Sequence, residues 1–96
     1  MARHSVVTIV SFGTTAAQAL PAREGRVGLL FTPHLTQNYA LRPDTNPATN
    51  IGLNVLPCAG NLELSMEKHG DIVKHAWYIL GAAASMTVGV LETFEV

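Results

Sequence analysis

Apolar and polar residues alternate with period two along most of this chain. The clearest stretch follows the proline-glycine turn Pro57 to Gly60. There Leu62, Leu64 and Met66 point one way, and Asn61, Glu63, Ser65 and Glu67 the other. Such alternation predicts a strand with one face on a core and one in water. The turn His69-Gly70-Asp71 closes it. The same plan of short apolar run, turn, short apolar run recurs from end to end. Ser5 to Phe12 is rich in Val, Ile and Thr, which suit a pleated surface, and Gly13 ends it. Thr14 to Leu20 reads as a short strand before the turn Pro21 to Gly25. Arg26 to Thr32 follows, with Val27, Leu29 and Phe31 on one face and Gly28 and Leu30 on the other.

Gln37 to Arg42 is the next short strand, and Pro43 to Asn50 is a polar, turn-rich surface loop. Ile51 to Leu56 precedes the Leu62 strand. Ile72 to Leu80 carries Trp77, the largest candidate core residue. Met86 to Val96 closes the chain, with Met86, Val88 and Val90 on one face and a bulge expected near Leu91. About eight strands at this spacing predict an all-β fold: a single domain over residues 1–96, an antiparallel β-sandwich or jelly-roll-like barrel. Leu62, Leu64, Val27, Leu29 and Trp77 are its expected buried residues. The uncharged stretch Ala76 to Leu91 is shorter than the roughly 20 residues a spanning helix needs. Gly81, Gly89 and its β-branched residues make it two strands around a small-residue turn, with no membrane role.

Composition adds a constraint on the surface. Charged residues make up only 14% of the 96, against 48% hydrophobic; about 25% charged is usual. A surface this sparse in charge suggests that another protein covers part of it. The formal net charge of −1 argues against nucleic-acid binding, which needs clustered Lys and Arg. Residues 1–48 carry a net +2 and residues 49–96 a net −3, opposite ends that suit head-to-tail contact between copies.

Candidate chemistry is sparse. The single Cys58 excludes an internal disulfide and fits a reduced, intracellular setting. The apolar run at the N-terminus is too short for a signal peptide. His4, His34, His69 and His75 lack the close spacing of a metal site. Glu63 and Glu67 share a strand face but lie about 13 Å apart, too far for a carboxylate dyad. Ser11, Ser65 and Ser85 have no neighbouring His and acid to activate them. No catalytic residue, metal or cofactor is expected.

The order of motifs carries a resemblance. LPAREGRVGLLF, YALRP, NIGLNVLPCAGNLELS and GDIVKHAWYILGAAASMTVGVLE follow one another from about Gly13 to Glu92. In this order they resemble small β-sandwich virion proteins of tailed bacteriophages. The resemblance implies a structural protein, foremost a capsid decoration (cement) protein. Such a protein is made in the host cytoplasm, binds the major capsid protein lattice from outside, and forms a homo-oligomer, a trimer rather than a dimer. A domain of a head fibre, tail or baseplate is the alternative; a small carbohydrate- or ligand-binding β-module is a further one. On the lattice reading, intermolecular contact falls to Ala2, Arg3 and His4 and to the loop beginning Pro43, Asp44, Thr45, Asn46, Pro47.

Overall fold

The computed structural model describes residues 3–44, 53–57 and 60–95. Among the described residues eight strands form: β1 Arg3–Phe12, β2 Ala17–Leu20, β3 Arg26–Phe31, β4 Tyr39–Pro43, β5 Leu53–Val55, β6 Leu62–Ser65, β7 Trp77–Gly81 and β8 Met86–Glu95. They make two four-stranded sheets, ordered β1-β8-β3-β6 and β2-β7-β4-β5. Every pairing is antiparallel. The two sheets pack face to face, so the all-β sandwich expected from the alternation is what forms.

The core lies between the inner faces. Leu29, Phe31, Leu41, Leu64, Trp77, Ile79, Val88 and Val90 are all buried there. Phe31 meets Trp77 with ring centroids 6.0 Å apart, and Phe12 meets Tyr39 edge-on at 5.4 Å. Polar tips in this core are satisfied. The Trp77 indole N–H donates to the Ile72 carbonyl at 3.1 Å, and the Tyr39 hydroxyl donates to the Thr32 carbonyl at 2.5 Å. Burial pushes the Tyr39 phenol pKa far above its usual value. The paired ten-residue strands β1 and β8, each about 34 Å long, set the 40 Å long axis of a molecule otherwise 23 by 21 Å across.

Three local expectations give way. The strand starting at Leu62 ends at Ser65, and Met66–His69 turns into a short helix α1 followed by a 3-10 helix, Gly70–Lys74. Met66 therefore does not extend that strand, and the strand expected from Ile72 begins only at Trp77. The cause is a cap: the Ser65 hydroxyl accepts the Lys68 N–H at 3.3 Å, and His69 Nδ1 accepts the Ser65 N–H at 3.1 Å. Second, β8 pairs with β1 without interruption, Arg3 opposite Glu95 through Phe12 opposite Met86, so no bulge forms at Leu91. The irregularity lies on β3, where Arg26 faces Phe94 but Gly28 faces Thr93, leaving Val27 as an extra residue. Third, Val27 and Leu62 are only partly buried. The bulge reverses side-chain parity, and Arg26 points into the core in Val27's place.

Candidate interaction surface

The reversed parity builds a polar knot at one end of the sandwich. Arg26 is fully buried, as is nearly all of Glu92, opposite Leu29. Arg26 Nε and Nη2 donate to Glu92 Oε2 at 3.4 and 3.3 Å. Nη1 donates to the carbonyls of Val73 and His75 at 3.1 and 3.0 Å, and Nη2 to that of Pro21 at 2.8 Å. Those carbonyls belong to segments that leave the sheets, so the planar guanidinium fork supplies partners the ladders do not. Burial draws the Arg26 pKa below its ordinary value, and the Glu92 charge opposes that shift. Among the described residues no buried side-chain N or O lacks a hydrogen-bond partner.

The knot joins the two segments expected to make contacts. His4 stacks on Phe94 at 6.0 Å, and the Arg23 guanidinium sits 4.5 Å from the same ring. Arg23 reaches Glu92 at 3.5 Å. Arg26 links Glu92 to the His75 carbonyl, and His75 Nδ1 lies 2.6 Å from the Asp44 carboxylate. Asp44 is held at a positive φ of 63°, and its N–H donates to the Ala76 carbonyl at 2.8 Å. His4 and Asp44, 40 positions apart in sequence, thus lie at one end of the sandwich. Arg3 pairs opposite Glu95 at the start of β1, and Pro43 opposite Trp77 at the end of β4. Ala2, Thr45, Asn46, Pro47 and Cys58 lie outside the described residues.

A second surface was not anticipated from the sequence. The outer face of the β1-β8-β3-β6 sheet carries the row Val7, Leu91, Leu30, Glu63, one residue from each strand. The next row is Ser5, Thr93, Gly28, Ser65. On the other side of Val7, Ile9 faces Gly89. Val7 is 64% exposed and Ile9 66%, large values for β-branched apolar residues. A hollow of about 250 Å³ opens beside Gly28, lined in part by Leu30, Leu91 and Thr93. Together these residues form an apolar strip across a mostly uncharged sheet face. The signal was present: Val6, Val7, Ile9 and Val10 are apolar on both phases of β1, although β1 is an edge strand.

Among the described residues, no three His, Cys, Asp or Glu side chains converge as a metal set. Among the described residues no helix is long and apolar enough to cross a membrane. His34 Nδ1 accepts the N–H groups of Thr36 and Gln37, and His69 caps a turn, so both serve local structure.

No protein family matches the sequence, and no curated protein matches it. Among solved structures, a chain from Bacillus endospore appendages, which form a family of disulfide-linked pili, has a similar fold. The TM-score is 0.57 at 12% identity, covering 99% of this chain and 88% of that one. At that identity the likeness is one of fold.

Proposed function

We propose that this protein is a structural subunit, a β-sandwich whose task is to be bound into a larger protein assembly. The observation that carries the reading is the apolar strip on the outer sheet face, with Val7 and Ile9 exposed and Leu91 and Leu30 partly exposed beside them. An apolar patch of this kind on a small domain marks a protein contact. The low charge content and the fold shared with a pilus-forming chain support it. The order of motifs favours a capsid decoration protein of a tailed phage, seated on the outer lattice of the major capsid protein. A subunit that recognises only the assembled shell stabilises it by its own binding free energy. The reading assigns no catalytic role. A fibre or appendage subunit is the second reading, favoured by the fold likeness and by the long exposed edge β1.

Immunogold labelling of particles from the source lysate, viewed by negative-stain electron microscopy, tests the assignment. Gold spread evenly over heads is the expected result. Gold confined to tails or fibres moves the protein to the second reading. Gold absent from every particle and filament overturns the structural-subunit reading itself. A Leu91→Lys variant, charged at the centre of the strip, should lower particle occupancy by at least about tenfold, which corresponds to roughly 1.4 kcal/mol of contact.

A further inference from the structure

We infer that β1 is a self-recognition edge: two copies pair their β1 strands antiparallel about a two-fold axis at Thr8, joining two four-stranded sheets into one of eight. The inference names a partner within the structural-subunit reading and rests on it.

The backbone directions come first. The Gly89 carbonyl accepts the Thr32 N–H, and the Glu95 N–H donates to the Gly25 carbonyl. Odd-numbered residues of β8 therefore turn their main-chain groups toward the β3 side, and even-numbered ones toward β1. Because β1 and β8 pair without a break, the even residues of β1 bond β8. Its odd residues, Ser5, Val7, Ile9 and Ser11, turn their N–H and C=O groups to the open side, since β1 ends the strand order. The usual guards of an edge strand are missing here. Between His4 and Phe12 there is no Lys, no Pro and no bulge.

The sequence is self-complementary in one register. Residues 5–11 read Ser-Val-Val-Thr-Ile-Val-Ser, nearly symmetric about Thr8. Placing Thr8 opposite Thr8 sets Val7 against Ile9 of the second copy, Val6 against Val10, and Ser5 against Ser11. A two-fold interface demands such reciprocity. The outward-turned residues form the bonded pairs, giving about eight ladder hydrogen bonds, within the roughly 10 ± 5 of a typical interface. No like charges meet, because Arg3 falls opposite Gly13. The pairing also continues the apolar strip of one sheet into that of the next, through Val7 and Ile9.

Sedimentation equilibrium over a concentration series, with the full chain, tests this. The expected species is a dimer, weakened at least about tenfold by Val7→Lys, with circular dichroism unchanged because Val7 is exposed. Register is tested by Thr8→Cys in a Cys58→Ala background. The axial pair is non-hydrogen-bonded, with Cα atoms about 4.5 Å apart, within disulfide reach. Mild oxidation should yield a covalent dimer. Ser5→Cys in the same background should not cross-link, its counterpart lying about 20 Å away. A monomer at every concentration, a trimer, a dimer indifferent to Val7→Lys, or cross-linking through Ser5→Cys overturns the inference. A monomer that still labels particles refutes self-pairing alone, whereas a dimer absent from every assembly refutes the structural-subunit reading alone.

Discussion

Replacing Arg26 with methionine removes the centre of the polar knot while keeping the length of its stem. The guanidinium is fully buried and holds four partners: the Glu92 carboxylate and the carbonyls of Pro21, Val73 and His75. Methionine donates nothing. Breaking a buried ion pair by removing one member costs about 3–5 kcal/mol. Here Arg23 stays 3.5 Å from Glu92, and its side chain is 45% exposed, so the stranded carboxylate keeps one solvated counter-charge. That places the expected loss at about 3–4 kcal/mol, the lower part of the range. A domain of this size has about 5–15 kcal/mol in all. At about 4–8 °C per kcal/mol, the melting temperature should fall by roughly 12–30 °C. Urea unfolding followed by the fluorescence of Trp77, the single tryptophan, measures it. Glu92→Gln strands the buried guanidinium without a counter-charge, though its three carbonyls and an amide oxygen still accept, and should also cost about 3–5 kcal/mol. The double variant Arg26→Met/Glu92→Leu should recover part of the loss but not all, since no side chain then serves the three carbonyls. A loss below about 1 kcal/mol for either single variant would refute the reasoning.

Other perturbations report on the core and the turns. Leu64→Ala should cost about 2–5 kcal/mol, since Leu64 is buried opposite Leu29, and calorimetry reads the loss directly. Gly81→Ala should cost about 1–3 kcal/mol by overpacking. The added Cβ would lie 2.6 Å from Met86 Sδ and 2.9 Å from the Phe12 ring, and a crystal structure of the variant should show both displaced. The raised Tyr39 pKa makes a prediction about alkali. The folded pKa exceeds the unfolded value near 10, so the stabilisation is complete below about pH 10 and is lost as pH rises above it. Phenolate absorbance from Tyr39 should appear together with loss of near-ultraviolet dichroism, and Tyr39→Phe should abolish that component.

Much of the fold is legible in the order of residues. Strand faces follow from period-two alternation, and Trp77, Leu29 and Leu64 are buried as that pattern requires. Past Ser65 the alternation misleads, because Met66 and Ile72 extend the apolar pattern into a segment that turns helical. A helix signal was nonetheless present in Ser65-Met66-Glu67-Lys68-His69-Gly70: a capping serine, good helix formers and a closing glycine. The Val27 bulge left no comparable mark. Alternation puts Val27 with Leu29 and Phe31 on the core face, and on β8 the residues Leu91, Thr93 and Glu95, out of phase with Phe94 and Val96, point to a bulge there instead.

Local chemistry settles where strands form, because side-chain parity and turn residues act over a few positions. The sequence by itself therefore determined an all-β domain of eight strands with an apolar interior and few charges. Which strands lie side by side, and which one stands at an edge, depends on contacts between residues far apart in the chain. So does the burial of Arg26, which is stable only because Glu92 and three carbonyls arrive from elsewhere. The exposure of Val7 and Ile9 has the same origin. Their side chains are those of a core strand, and only the strand order leaves them at the surface, uncovered.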